Sequence, residues 1–274
     1  MPQPHLINQH VPNQNRLSVL TAIVLLAYAL AQLIESQPGS AEYTLFGVVI
    51  PLPFNLTAAV TFLSVGLTAT GMDWLLRSHP EFEHTNTFEH IMLPALTSFL
   101  VGVLLYNLPH GMFWWAGFGV GGVILLLVFI AEYIVVDVSD ARYPAASAGL
   151  AALSFILFLV LITALNIVDA RFLLKVLIVF PAAALVSSRT IHLRLQSWSI
   201  PWALGTGFVT IQVAAALHYW PVLPIQAGLA TLGPLYAVTG LAVNMQENPD
   251  FRRAASEFAL VLAFFWLLAV FVQA

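Results

Sequence analysis

The densest chemistry in this chain lies in one short block, Glu132-Tyr133-x-x-x-Asp137-x-x-Asp140-x-Arg142, with three acids and an arginine. Acids at such spacing can hold a divalent cation bridging a diphosphate, or act as acid/base groups, while the arginine clamps phosphate oxygens. The same letters also describe a solvated turn between two apolar segments. Glu132 stands apart from the rest because it falls about four residues inside the preceding apolar segment, roughly 6 Å deep at 1.5 Å per residue. A carboxylate at that depth needs a partner, and Arg189 and Arg194 are the cations the sequence offers; the alternative is an interfacial acid that reaches water.

A second block, Ser188-Arg189-Thr190-Ile191-His192-Leu193-Arg194, alternates polar and apolar residues. Arg189 and His192 stand at i, i+3, so on a helix they could face one anionic ligand such as a lipid phosphate. The plainer reading is a topology determinant touching headgroups. A third block carries His79, Glu81, Glu83, His84, Glu89 and His90. Its Glu-His pairs match neither the H-E-x-x-H zinc pattern nor the E-x-x-H of di-iron bundles, so no metal and no cofactor is assigned. Glu89 and His90 remain candidate ligand contacts, with Arg142, Arg189, His192 and Arg194. Glu132, Asp137 and Asp140 are the candidate catalytic groups.

What positions these residues is a membrane. Of 274 residues, 60% are hydrophobic and 8% are charged, against about 25% charged in a soluble domain, and the mean hydropathy is +0.90. A hydrocarbon core of roughly 30 Å needs about 20 apolar residues in a helix. Nine runs approach or meet that length: 17–34, 54–76, 91–108, 114–136, 145–167, 172–187, 200–219, 221–243 and 254–272. None shows the period-2 alternation of a membrane barrel. The expectation is an all-α polytopic bundle of about nine transmembrane helices, with a flexible tail over 1–16 and one domain over 17–274. The first run is longer than a signal-peptide core and is read as a retained helix.

Boundary residues fit this division. Asn248-Pro249-Asp250 reads as a helix start, and Asn86 with Glu89, and Ser78 with Glu81, have capping-box spacing. Trp74, Trp114, Trp115, Trp198, Trp202 and Trp220 fall at run ends, at headgroup level. Small residues, among them Gly117, Gly121, Gly207, Gly228 and Gly240, are expected to let helices approach closely. Pro234 is expected to kink the eighth helix. The apolar stretch 45–53 is too short to span and reads as a lid or a re-entrant segment.

Seven of the nine basic residues fall on one side of this topology and two, Arg171 and Lys175, on the other. The positive-inside rule then puts the N-terminus in the cytoplasm, the C-terminus outside, and the protein in the inner (plasma) membrane as a multi-pass chain. Zero cysteines exclude disulfides and thiolate chemistry, and the net charge of −4 gives no basis for nucleic-acid binding.

The blocks Glu89-His90-x-x-x-Pro94, Glu132-Tyr133-x-x-x-Asp137, Arg189-Thr190-x-His192-x-Arg194 and Ala216-Leu217-His218-Tyr219-x-Pro221 resemble those of a family of bacterial multi-span proteins with no assigned function, from about residue 70 onward. The resemblance implies the topology and transfers no activity. A likeness to intramembrane prenyltransferases is architectural alone, since their Asn-Asp-x-x-Asp-x-x-x-Asp pattern is absent. No ionisable residue falls near the centre of any run, which counts against a proton relay or a charged midplane site. The first functional reading is therefore a cytoplasmic-face site that binds, or binds and processes, an anionic lipid or isoprenoid. The alternatives are an accessory subunit partnered by another membrane protein, and a carrier for a neutral or apolar solute.

Overall fold

The computed structural model describes residues 12–33, 40–45, 48–53, 56–79, 82, 87–247 and 251–272. Among them are nine α-helices: α1 (Gln14–Leu33), α2 (Leu56–Leu76), α3 (Thr87–Asn107), α4 (Met112–Ile134), α5 (Tyr143–Ile167), α6 (Phe172–Leu195), α7 (Ile200–His218), α8 (Pro224–Glu247) and α9 (Phe251–Phe271). All nine are long and apolar enough to cross a membrane. Helices are the form such runs must take, because lipid offers no partner to an unsatisfied backbone group. Their exterior agrees: Phe113 and Leu260 are each 73% exposed and Phe62 is 67% exposed. Water would not tolerate so much apolar surface, whereas acyl chains match it.

The stretch read as a lid or a re-entrant segment pairs with the residues before it. Strands β1 (Ser40–Leu45) and β2 (Val48–Pro53) form an antiparallel hairpin, with Leu45 opposite Val48 and Ser40 opposite Pro53. Helix α1 begins earlier than the expected end of the flexible tail. Asn13 Oδ1 accepts the backbone N–H groups of Asn15 (3.1 Å) and Arg16 (3.3 Å), which is an N-cap. The proposed starts at Asn248 and Asn86, and the Ser78–Glu81 box, involve positions outside the described residues.

The contacts divide the chain into two compact units, Met1–Ala146 and Ser147–Ala274. In the first unit α2 packs on α1 and α3, and α4 packs on α3 and α1. Its core includes Val24, Met72, Leu75, Leu125 and Phe129. Trp114 belongs to this core rather than to a headgroup layer: it is buried and stacks on Phe118 at 5.3 Å. Arg16 ties the start of α1 to the end of α2, donating to the Trp74 carbonyl at 2.7 Å and lying over its ring.

In the second unit α7 packs on α6 and α8, α8 packs on α6, and α9 lies along α8. Of the two glycines expected to thin α7, Gly207 meets a neighbouring helix and Gly205 does not. A methyl group at Gly207 would lie 3.1 Å from the Phe180 carbonyl oxygen and 3.3 Å from Ala184 Cβ, so α6 and α7 meet backbone to backbone. Because a backbone oxygen cannot swing aside, Gly207→Val is expected to cost about 1–3 kcal/mol, read as a lower unfolding temperature in detergent. Gly205, two residues away, has open space beside it, and Gly205→Val serves as the neutral control. Pro234 lies inside α8 without ending it. Helix α6 continues past its expected end at residue 187 to Leu195, where Gln196 adopts a left-handed φ of 53° and stops it. The basic block is therefore part of α6, with Arg189 and His192 at i, i+3 on it.

Candidate functional site

Glu132 is fully buried, and its partner comes from a block read separately in the sequence. Glu132 stands in the last turn of α4 and His90 in the first turn of α3. Since α3 packs on α4, the two side chains meet: His90 Nδ1 and Glu132 Oε2 are 2.9 Å apart, with side-chain exposures of 3% and 0%. The contact is a buried hydrogen bond between imidazole and carboxylate. Glu89 is buried beside His90 in sequence, and His79 is buried with its ring edge against Tyr133 at 4.7 Å. Pro94 has no N–H to give the His90 carbonyl four residues earlier.

Asp137 and Asp140 serve the turn after α4. Asp137 Oδ1 accepts the Ser139 N–H (2.8 Å) and hydroxyl (2.7 Å). Asp140 takes the Arg142 N–H at 2.8 Å and its guanidinium through Nε (3.1 Å) and Nη2 (2.7 Å). These are local side chain-to-backbone closures of a polar turn. The hydrogen bond to Asp140 raises Arg142 further above its ordinary pKa, so the guanidinium stays charged. Among the described residues no three His, Asp or Glu side chains converge as a metal site requires.

In the second unit Arg189 is 1% exposed and lies on α6. One turn on, the His192 ring stacks on Trp198 at 4.8 Å and 23°. Arg194 is exposed at the end of α6 and contacts Glu247, at the end of α8, with Nε to Oε1 at 3.3 Å. Beside this pair opens a cavity of about 430 Å³. It is lined by Arg194, Glu247 and Asn244 where α6 and α8 end, and by Ala151, Phe155 and Tyr236 further along α5 and α8. The Phe155 and Tyr236 rings meet at 5.0 Å in its wall. Thr239 also lines it, is 1% exposed, and its hydroxyl oxygen has no hydrogen-bond partner. From Glu247 to Tyr236 the lining runs roughly 16 Å along α8 at 1.5 Å per residue. That is about half the hydrocarbon thickness. Arg189 and His192 do not line this cavity.

Several of these residues escaped the sequence reading. Glu247, Asn244 and Thr239 stand some fifty positions from Arg194, and only the packing of α8 on α6 assembles them. Lys175 was read only as a topology charge, yet it is 7% exposed and its ammonium turns inward to Asn166 Oδ1 (2.9 Å) and His218 Nδ1 (3.0 Å). The single visible signal was a lysine inside an apolar run.

Residues 36–272 match the model of a family described as "Protein of unknown function (DUF5656)". No curated protein and no solved structure matches the chain.

Proposed function

We propose, for a chain that belongs to this family of unknown function, that the second unit binds an anionic amphiphile, a lipid or isoprenoid, in the cavity between α5, α6, α8 and α9. The observation that carries this reading is the cavity's mixed lining: charged and polar groups (Arg194, Glu247, Asn244) where α6 and α8 end, and apolar and aromatic groups (Ala151, Phe155, Tyr236) further along α5 and α8. Its volume of about 430 Å³ falls in the range of small-molecule sites, roughly 300–1,000 Å³. A length of about half a bilayer suits an acyl or prenyl chain entering from one leaflet.

Arg194 supplies the affinity for an anion. An ion pair as exposed as Arg194–Glu247 adds little to stability. Arg194 is thus able to exchange the Glu247 carboxylate for a phosphate or carboxylate head without cost to the fold. With the N-terminus inside, as the basic residues argue, this end of the cavity lies toward the cytoplasmic leaflet.

The test is a fluorescence titration of the purified protein with farnesyl phosphate and with farnesol, which share a chain and differ in head. Loss of a charge-assisted hydrogen bond is worth about 1.5–3 kcal/mol, a factor of about ten or more in Kd. The wild-type protein is expected to prefer farnesyl phosphate by that margin, and Arg194→Gln to bind both equally. Equal binding of the two by the wild-type protein would reject the anionic head.

A further inference from the structure

The geometry points to a proton path through the first unit, running from the His90–Glu132 dyad along a seam of buried hydroxyls to a cavity near the far end of α3. Three observations meet here. The first is the dyad itself. Intramembrane ionisable residues are expensive and are kept where they work, and this pair is almost wholly excluded from solvent.

The second is a row of hydroxyls that the antiparallel packing of α2 and α3 places in one line. A methyl group at Gly102 would lie 2.6 Å from Thr61 Cγ2 and 3.0 Å from Tyr28 Cε1. The start of α2 therefore lies level with the end of α3, and α1 closes on both. With Thr61 level with Gly102, Thr68 stands about level with Ala95. That is five residues beyond His90, roughly 7.5 Å along the axis. Thr97, Ser98 and Ser64 follow at the next turn. Tyr28 completes the row, its hydroxyl 2.6 Å from the Ser98 carbonyl and 2.9 Å from Ser98 Oγ. Thr61, Ser64 and Thr68 recur at i, i+3 and i+7 on α2, which keeps them on one face. All are buried.

The third observation concerns what fills the seam. Ser64 Oγ is fully buried and faces the Tyr28 hydroxyl, while Thr68 Oγ1, equally buried, has no hydrogen-bond partner. Leaving a hydroxyl so costs about 1–3 kcal/mol, and water is the usual occupant of such a place. At the far end Tyr28, Gln32, Gly102, Tyr106 and His110 line a cavity of about 100 Å³, room for several waters.

Hydroxyls and waters move protons by accepting one on a lone pair and releasing another, so nothing is consumed and no charge is stored. The dyad is the acid/base element: the proton held between imidazole and carboxylate leaves toward Thr68, and another replaces it from the end where α3 begins. The ionisable groups around it are Glu89 on α3, His79 after α2 and Tyr133 on α4, with Asp73, Arg77 and Arg16 beyond them at the helix ends. The midplane needs no charged residue, because hydroxyls span it.

The experiment reconstitutes the full chain into 3:1 phosphatidylcholine–phosphatidylglycerol vesicles with a pH-sensitive dye inside, and drives protons inward with a valinomycin potassium potential (a composition chosen as about one-quarter anionic lipid). Wild-type vesicles are expected to acidify faster than protein-free ones. Glu132→Gln and Thr68→Val should each fall to the protein-free rate. Thr70→Val, an exposed hydroxyl on the same helix, should run at the wild-type rate. Should Glu132→Gln fail to reconstitute, His90→Gln takes its place, while Thr68→Val keeps the side-chain shape. Wild-type flux equal to that of protein-free vesicles overturns the path. So does full flux in Thr68→Val, since the dyad would then work without the seam.

Discussion

Replacing His90 by leucine is expected to cost the fold about 3–5 kcal/mol, the typical penalty for removing one partner of a buried pair. Glu132 has no exposure to water and its Oε2 meets His90 at 2.9 Å. Leucine fills the same space between α3 and α4 and offers the carboxylate nothing. Replacing both residues, His90→Leu with Glu132→Leu, is expected to recover most of the loss, since a packed apolar pair is often as stable as a buried ionic one. Thermal unfolding of the two variants in one detergent reads the difference. A double variant less stable than His90→Leu alone would show that the pair contributes more than mutual satisfaction.

The second large effect concerns the cavity of the second unit. Ala151 on α5 lines it together with Thr239 and Tyr236 on α8. Phenylalanine there occupies the volume a prenyl or acyl chain would take, while the end at Arg194 and Glu247 stays unaltered. Ala151→Phe is expected to abolish farnesyl phosphate and farnesol binding alike, whereas Arg194→Gln removes only the preference between them. The two variants thus separate chain recognition from head recognition. Binding of both ligands by Ala151→Phe at wild-type affinity would place the chain elsewhere.

Much of the architecture was legible in the letters, and the reason is physical. In lipid, hydropathy and a length near 20 residues decide a helix with little help from packing, so the starts of α5, α6 and α7 and the ends of α2 and α5 fall close to the run boundaries. The misjudged end of α6 shows the limit. The sixth apolar run stops at residue 187 because the block after it is polar, but Arg189 is buried and the helix runs through it to Leu195. Polar residues inside a bundle do not end a helix.

The site was less legible, because it is assembled by contacts far apart in sequence. His90 and Glu132 are 42 positions apart and Arg194 and Glu247 are 53. Each was visible as a polar residue near a run end, and only packing says who meets whom. Asp137, Asp140 and Arg142 formed the most conspicuous motif, and their short spacing is what lets them close a turn on one another. The hydroxyl seam of the first unit was invisible for a different reason. Serine and threonine are ordinary in membrane helices, and only the level of Thr61 against Gly102 aligns them.

The most direct test of the central claim is native mass spectrometry of the protein released from mild detergent, run beside Ala151→Phe. The wild-type protein should carry an added mass of one amphiphile class with a phosphate or carboxylate head, and Ala151→Phe should appear bare. A wild-type protein that is itself bare, or an added mass retained equally by Ala151→Phe, would contradict an amphiphile held in the cavity of the second unit.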